Sequence, residues 1–302
     1  MSEAALVFEG VVRRFGRTVA LDGVSFSLEP GTVLGLIGRN GAGKTTALRL
    51  ALGLLWPDAG RVRTLGLDPV AARRDVTVRA ALLSEETSLY PWMTIEEIVR
   101  FAAALHPRWD PALAARLVRD LDLPSSKRIR ELSRGSRAKV ALVLAVAARP
   151  GLLLLDDPTA GLDPLVRREV LDGILDAVAG EGGSVVYASH LVHDLERVAD
   201  RVIVLDGGHI RLEHDLDVLK GRIRRARAVF GTSAPASPTI PGAIDLAVDG
   251  RLLTVVAEAT NGSLDASLRA LGAREITIEP LSLEEILVAL LRDGLVKEPS
   301  HV

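Results

Sequence analysis

The stretch that decides the fold is Gly38-Arg39-Asn40-Gly41-Ala42-Gly43-Lys44-Thr45-Thr46. It fits the pattern G-x-x-x-x-G-K-[ST], and it stands between a short apolar run and a segment with helical periodicity. Glycines let the backbone turn so that N–H groups point inward and hold phosphate oxygens, and the helix that follows adds the positive end of its dipole. Lys44 adds a positive charge, and the Thr45 hydroxyl can ligate Mg²⁺. The alternative, a glycine-rich turn with a solvated lysine, is disfavoured by this strand-to-helix context, so the stretch predicts a site for a nucleotide with Mg²⁺.

A pair of carboxylates supplies the second element. Four consecutive leucines at residues 152–155 predict a buried strand, and Asp156 and Asp157 follow it directly. Ligands of open α/β sheets bind at the carboxyl ends of the strands. We therefore expect Asp156 to hold Mg²⁺ and Asp157 to orient or deprotonate an attacking water. Without the phosphate loop, the pair would be interpreted as a polar strand end that turns at Pro158.

Length, composition and charge exclude several other classes of protein. The chain has 302 residues, which suggests two domains, and it has no cysteine, so neither a disulfide framework nor a thiolate metal site is possible. The net charge of −2 disfavours a strongly basic nucleic-acid binder. Apolar runs are too short for a membrane span, and the first residues lack the pattern of a signal peptide. We expect a cytoplasmic protein that binds no nucleic acid.

The order of the elements predicts an α/β protein with a mostly parallel sheet. Residues 1–220 are predicted to form an ATP-binding domain of the P-loop NTPase type, with a helical subdomain inserted at about residues 92–148. Residues 221–242, rich in Pro, Ser and Gly, are predicted to be a linker, and residues 243–302 a small α/β accessory domain. The basic run KGRIRRAR at residues 220–227 is interpreted as solvated linker in preference to a nucleic-acid or lipid contact.

Further motifs resemble those of the ATPase subunit of ATP-binding cassette (ABC) transporters. LSRGS at residues 132–136 resembles the signature sequence LSGGQ, and AGLD at residues 160–163 resembles the loop after the acidic strand. His190, after Ser189, resembles the switch histidine. Phe15 matches the aromatic residue that stacks on adenine, and Glu85 lies where the family usually has glutamine.

The resemblance covers about residues 6–215, and it implies a mechanism. In this family two subunits enclose two ATP molecules between them, so Ser133 and the backbone N–H of Gly135 would contact the γ-phosphate bound by the partner. His190 would contact the γ-phosphate and the attacking water. Glu85 would offer an oxygen to Mg²⁺, beside Thr45 and Asp156.

The function implied is that of an ATP-hydrolysing subunit that energises a separate transmembrane permease, peripheral at the inner face of the cell membrane. The second cassette could be an identical or a different chain. The basic residue in the signature, the stretch at residues 89–94 and the small C-terminal domain resemble subunits of export systems. Trp92, in a loop between a strand and a helix, is a candidate anchor for the permease.

One departure from the family pattern sustains an alternative function. Asp157 stands where the family usually has glutamate. Aspartate is one methylene shorter, so its carboxylate is withdrawn by roughly 1–1.5 Å, and a misplacement of about 1 Å can slow a reaction about 10²-fold. The alternative is a low-turnover regulatory or degenerate cassette that pairs with an active one. If Asp157 is a misplaced base, Asp157→Glu should raise turnover, unless the backbone has adapted to the shorter side chain. A cassette acting on ribosomes or DNA is disfavoured, because the chain has one cassette and no heptad repeat.

Overall fold

The computed structural model describes residues 3–84, 89–179, 183–259 and 263–292. The chain folds into two compact units, Met1–Ile210 and Arg211–Val302.

A six-stranded sheet forms the centre of the first unit, with strand order β5-β6-β7-β3-β8-β9. Its strands are β3 (Val33–Ile37), β5 (Ala80–Ser84), β6 (Leu152–Asp156), β7 (Ser184–Ser189), β8 (Arg201–Asp206) and β9 (His209–Asp215). The pairings from β5 through β6, β7 and β3 to β8 are all parallel. Parallel strands are buried on both faces, which explains the unbroken leucine run of β6. The expected α/β fold with a mostly parallel sheet is confirmed.

The register of this sheet brings polar strand ends together. Ser84 at the end of β5 pairs with Asp156 at the end of β6. Asp156 in turn pairs with Ala188, and Ser189 with Ile37, the last residue of β3. The phosphate loop that follows β3 therefore starts at the same sheet edge as the carboxylates.

A three-stranded antiparallel sheet, in the order β2-β1-β4, completes the strands of the first unit. It comprises β1 (Leu6–Phe15), β2 (Thr18–Leu28) and β4 (Ala59–Thr64). Phe15, the last residue of β1, pairs with Thr18 across a tight turn. The side chains between the two sheets form one hydrophobic core, in which the rings of Phe8 and Phe26 stack with centroids 4.6 Å apart.

Seven α-helices lie in the described part of the first unit: α1 (Lys44–Ala51), α2 (Arg73–Arg79), α3 (Ile95–Leu105), α4 (Pro111–Asp120), α5 (Arg134–Ala147), α6 (Pro164–Ala179) and α7 (Val192–Val198). Helices α3, α4 and α5 form the helical segment between β5 and β6. A capping box begins α3: Thr94 Oγ1 accepts from the Glu97 N–H at 3.1 Å, and Glu97 Oε2 accepts from the Thr94 N–H at 2.8 Å. Asp110 caps α4, accepting from the Leu113 N–H at 2.8 Å.

The second unit corrects the predicted linker. It contains α8 (Leu216–Arg222), β10 (Ile223–Phe230), β11 (Ala243–Asp249), β12 (Leu252–Glu258), α9 (Ser263–Ala270), β13 (Ala273–Pro280) and α10 (Leu283–Arg292). Residues 221–242 do not form a linker, because they contain β10, which is an inner strand of the sheet β11-β12-β10-β13. The basic run is not simply solvated either: Arg225 lies 2.9 Å from a carboxylate oxygen of Glu285 and 3.5 Å from one of Glu279.

The strand order of this unit is that of a split β-α-β fold. The first crossover, residues 231–242, is irregular where such a fold has a helix. Its side chains Ala234 and Ile240 pack into the core with Leu264 and Leu268 of α9. The crossover thus takes the place of a helix on that face of the sheet.

Across the ranges that the structure describes, none of the helices combines the length and the apolar character that crossing a membrane would require.

Candidate functional site

The phosphate loop runs from the end of β3 to the start of α1, and two of its glycines are required by the geometry. Gly43 has φ +110°, in the left-handed region, and a Cβ there would lie 2.4 Å from the carbonyl oxygen of Ala20. A Cβ at Gly38 would lie 2.5 Å from the carbonyl oxygen of Leu205. Any larger residue at these positions would push the loop out of shape, so the motif glycines keep the backbone N–H groups where phosphate oxygens can reach them.

Lys44 begins α1, and its side chain is only 5% exposed. Its Nζ donates to the carbonyl oxygens of Gly38 at 2.7 Å and Arg39 at 3.3 Å, so the ammonium group lies across the loop. Burial lowers the pKa of Lys44, while the nearby charges of Asp157 and Asp156 counteract that shift. A phosphate group in the loop would find this cation already in place.

Asp156 is the candidate magnesium ligand at the end of β6. Burial raises the pKa of its carboxyl group, and a hydrogen bond with the Thr45 side chain opposes that shift. A half-buried carboxylate beside a hydroxyl is a set of oxygen ligands that suits Mg²⁺, which usually binds one or two protein oxygens together with waters and substrate phosphates. No cluster of three or more His, Asp or Glu side chains suited to a metal exists among the described residues. The residues present therefore fit an ion held jointly by the protein and a nucleotide.

Asp157 lies beside the segment that follows β7. Its Oδ1 accepts hydrogen bonds from the Ser189 hydroxyl at 2.9 Å and from the His190 N–H at 3.1 Å. The His190 Nδ1 lies 2.8 Å from the same oxygen, within hydrogen-bonding distance. The backbone of Asp157 has φ +45°, a left-handed conformation that aspartate and asparagine adopt more readily than other side chains. Asp157 and His190 thus form one hydrogen-bonded unit.

Phe15 provides an aromatic surface at the rim of the same cavity, with 45% of its area exposed. The guanidinium of Arg13 lies 4.7 Å from the centre of the Phe15 ring. Arg13 is itself fixed by the carbonyl oxygen of Trp56, at 3.0 Å, and by Asp58, at 3.3 Å. Phe15 lines the cavity and Arg13 does not, so Arg13 contacts the ring from outside the cavity lining.

The signature residues lie at the start of α5. Ser133 caps that helix, its hydroxyl accepting from the Ser136 N–H at 3.1 Å. Arg134, which replaces the first glycine of the family signature, donates to the carbonyl oxygen of Ala160 at 2.9 Å. Its guanidinium covers Gly161 so closely that a Cβ there would lie 2.5 Å from it. Within one chain, the signature therefore contacts the loop that follows the acidic strand.

A cavity of about 530 Å³ gathers most of the predicted residues. That volume lies within the usual range of small-molecule sites, roughly 300–1,000 Å³. The cavity is lined by Phe15, Ala20, Arg39, Asn40, Gly41, Ala42, Gly43, Lys44, Thr45, Thr46, Arg49, Ser84, Asp156 and Asp157. Among the residues described, Gly38, Ser133, Gly135 and His190 are predicted site residues that are not part of this lining. Glu85, the remaining predicted ligand, lies outside the described residues.

Sequence similarity decides the family. Over 271 residues the chain is 32% identical to the ABC transporter ATP-binding protein YtrB of Bacillus subtilis (strain 168), covering 89% of this chain and 92% of that protein. This chain belongs to the ABC transporter ATP-binding subunits. It is also 31% identical to the daunorubicin resistance ATP-binding protein DrrA3 of Streptomyces coeruleorubidus, over 97% of this chain and 98% of the relative.

Two further comparisons agree with that assignment. Residues 21–160 of the ABC subunit match the family described as ABC transporter. A solved structure described as the ATP binding subunit of an ABC transporter matches it with a TM-score of 0.65 and 27% identity, over 72% of this chain and 92% of the other. The expected family and fold are confirmed: the ABC subunit is an ATP-binding protein of a family that hydrolyses ATP.

Several side chains of the ABC subunit's site were missed by sequence reasoning. Arg13 and Ser189 each support a predicted residue, and Arg49 lines the cavity. Arg13 lies two positions before Phe15, a spacing that places both side chains on one face of a strand, so the pair was detectable. The bond from Ser189 to Asp157 joins residues 32 positions apart on different strands, and only the sheet register reveals it.

Proposed function

We propose that this chain is the ATP-hydrolysing subunit of an export-type ABC transporter, which drives a separate transmembrane permease. The observation that carries the proposal is the cavity in which the phosphate loop, Thr45, Asp156 and Asp157 meet. The cavity contains every group that phosphoryl transfer to water needs from the protein: N–H groups that donate hydrogen bonds to phosphate, a cation, a metal site and a base.

The chemistry assigns a role to each part of the cavity. Adenine stacks on Phe15, the N–H groups of residues 38–46 and the Lys44 ammonium bind the phosphates, and Thr45 and Asp156 hold Mg²⁺. When bound, Mg²⁺ neutralises charge that develops on the phosphate oxygens. Asp157 positions the attacking water and accepts its proton. The hydrogen bond between His190 Nδ1 and Asp157 Oδ1 holds the Asp157 carboxylate in place.

A second cassette completes the site. The Ser133 hydroxyl and the Gly135 backbone N–H lie at the start of a helix, where anions bind favourably. Neither residue lines the cavity of its own chain. A second copy of the chain, or a related cassette, brings its signature residues to the γ-phosphate. ATP then acts as the bond between two subunits, and its hydrolysis releases them.

An aromatic cluster on the helical segment supports docking to a permease. Trp92 is 61% exposed, and its ring centre lies 5.2 Å from that of Tyr90. Tyr90 also meets Phe101 of α3 edge to face at 5.5 Å. Phe101 and Leu105, one helical turn apart, are both exposed. Aromatic side chains grouped in this way are typical anchors of protein interfaces.

Another part of the surface of α3 faces the core. Ile95, Ile98 and Ala102 are buried there and form one apolar stripe. Phe101 and Leu105 flank that stripe and form a second one, which Tyr90 contacts at Phe101 and which is otherwise exposed among the described residues. We assign the second stripe to a cytoplasmic segment of the permease, which places the subunit at the inner face of the membrane. The resistance named for the Streptomyces relative supports export as the direction of transport.

One observation favours a second function, a cassette that binds ATP with little turnover. Three donors of residues 189–190 converge on Asp157 Oδ1, and the shorter side chain of aspartate leaves the base little reach toward the phosphate. In that case a partner cassette would carry the hydrolysis.

Purification from membranes tests the proposal. The tagged full chain, isolated in mild detergent, should carry a multi-span membrane protein with it, and the complex should release phosphate from Mg-ATP. Trp92→Ala should lose the membrane protein while still binding ATP, whereas Trp56→Ala, an equally exposed tryptophan outside the cluster, should retain it. Failure of any membrane protein to co-purify would overturn the transport function, and a complex that binds ATP without releasing phosphate would favour the low-turnover cassette.

A further inference from the structure

A carboxylate without contact to the nucleotide cavity lies buried near its catalytic edge. Asp194, in the first turn of α7, is 0% exposed. Its Oδ2 accepts from the Thr159 hydroxyl at 2.6 Å and from the Tyr187 hydroxyl at 3.3 Å, and these two hydroxyl oxygens lie 3.1 Å apart. Thr159 and Tyr187 are also fully buried. We call these three residues the Asp194 cluster.

The Asp194 cluster is a costly way to fill a core. Burial raises the pKa of the Tyr187 hydroxyl, so that group stays a neutral donor. Arg167 forms an ion pair with Asp194, but its Nε lies 3.9 Å from Asp194 Oδ2, too far for a hydrogen bond. Within the described ranges, Oδ1 of Asp194 has no hydrogen-bond partner. Apolar side chains of the same size would satisfy packing without burying a carboxyl group, so Asp194 is better explained by the segments that it positions.

On one side, the Asp194 cluster holds the loop after the acidic strand. The Thr159 carbonyl oxygen accepts from the Leu162 N–H at 3.2 Å, so Thr159 opens the turn that forms residues 160–163. That turn presents the Ala160 carbonyl oxygen to Arg134 of the signature. Asp157 lies two residues before Thr159, and its carbonyl oxygen accepts from the Ala160 N–H at 3.1 Å.

On the other side, the Asp194 cluster holds residues 189–191, which we call the switch segment. The Asp194 N–H donates to the Leu191 carbonyl oxygen at 3.2 Å, and the Leu191 N–H donates to the Ser189 hydroxyl at 3.0 Å. The same Ser189 hydroxyl donates to Asp157. The carboxylate of Asp194 therefore joins two segments that both position Asp157.

We propose that Asp194 is a positioning residue for ATP hydrolysis, which fixes the loop at residues 160–163 against the switch segment at residues 189–191. It acts on the placement of Asp157 and of the signature contact. Because the cluster does not line the nucleotide cavity, its loss should lower kcat and leave ATP affinity unchanged. A displacement of about 1 Å in a catalytic group is enough to cost about 10²-fold in rate. The kinetic part of this inference rests on the hydrolytic function proposed above.

Matched substitutions of Thr159 test the inference in the purified chain–permease complex. Thr159→Val keeps the shape and removes the hydroxyl, whereas Thr159→Ser keeps the hydroxyl. We expect Thr159→Val to lower kcat at least 10-fold, with KM and the Kd for ATP within about 2-fold of wild type, and Thr159→Ser to stay close to wild type. Asp194→Asn should lower kcat in the same way, and the double variant should be no slower than the slower single one, because both act through one contact.

Amide hydrogen exchange gives a readout that does not depend on hydrolysis. Peptides that cover residues 158–163 should exchange faster in Thr159→Val than in Thr159→Ser, because the Ala160 and Leu162 amides are bonded within that turn. Folded Thr159→Val with wild-type kcat and unchanged exchange would overturn the inference, as would a parallel loss of ATP affinity and kcat. A wild-type complex that binds ATP without hydrolysing it would instead contradict the proposed function, and exchange alone would then decide whether Asp194 fixes the loop. If Asp194→Asn fails to fold, the Thr159 pair still decides the question.

Discussion

Replacing Asp157 with glutamate should slow ATP hydrolysis, although glutamate is the usual residue of the family. The structure favours a backbone that has adapted to the shorter side chain. The backbone of Asp157 has φ +45°, and its Oδ1 accepts hydrogen bonds from Ser189 and His190. The backbone conformation and these two bonds together fix the position of the carboxylate. An extra methylene would move the carboxylate by roughly 1–1.5 Å, away from these donors or into the cavity.

The magnitude follows from two separate costs. A left-handed backbone costs most L-residues about 1–2 kcal/mol, and aspartate is among the few that tolerate it, so glutamate adds a cost of that order. Displaced hydrogen bonds add about 1 kcal/mol each. Asp157→Glu should therefore destabilise the fold by about 2–4 kcal/mol and, through misplacement, lower kcat about 10²-fold. Asp157→Asn keeps the size and the backbone preference, but it cannot accept a proton, so kcat should fall about 10²–10⁴-fold while Tm changes little.

Steady-state phosphate release by the three forms with the native permease, together with their Tm values and ATP affinities, checks both numbers. A rate for Asp157→Glu at or above wild type would refute the adapted-backbone reasoning and indicate a misplaced base. Equal rates in all three forms would show that Asp157 has no catalytic role in this chain.

Three further predictions concern stability, adenine binding and the signature. Burial raises the folded-state pKa of Asp156 above its unfolded value, so the ionised carboxylate weakens the fold as pH rises through that pKa. Asp156→Asn should therefore raise Tm at pH 7 without nucleotide, and the gain should shrink at acidic pH. An unchanged Tm at pH 7 would contradict this. Phe15→Ala should weaken ATP binding by about 1–3 kcal/mol, whereas Phe15→Tyr should not, and equal Kd values for the two variants in a calorimetric titration would exclude stacking. Gly161→Ala should disrupt the contact with Arg134, because a Cβ at residue 161 would lie 2.5 Å from the guanidinium. ATP-dependent dimerisation, measured by light scattering, should therefore weaken. A dimer of unchanged affinity would show that the contact plays no part in dimerisation.

The phosphate loop and the helix caps were predictable because their determinants lie within a few residues of one another. Gly38 and Gly43 are needed by local backbone geometry, and Thr94 with Glu97 fixes the start of α3. Fold class followed in the same way from the alternation of strands and helices.

Charge compensation between distant residues was not predictable, and it caused the main error. The run KGRIRRAR indicated a solvated linker, yet Arg225 is neutralised by Glu279 and Glu285, more than fifty positions later, so the segment can form an inner strand. The hydrogen bonds of Asp157 with Ser189 and of Asp194 with Thr159 span 32 and 35 positions. Such pairs are set by the sheet register, which a single sequence does not display.

The central claim is that the cavity around Lys44 binds the phosphates of ATP, and an equilibrium titration of wild type and Lys44→Ala with Mg-ATP tests it most directly. A charge-assisted hydrogen bond contributes about 1.5–3 kcal/mol, so removal of the ammonium should raise the Kd about 10- to 150-fold while the protein remains folded. An equal affinity in the two proteins would contradict the account, because ATP would then be bound elsewhere in the chain.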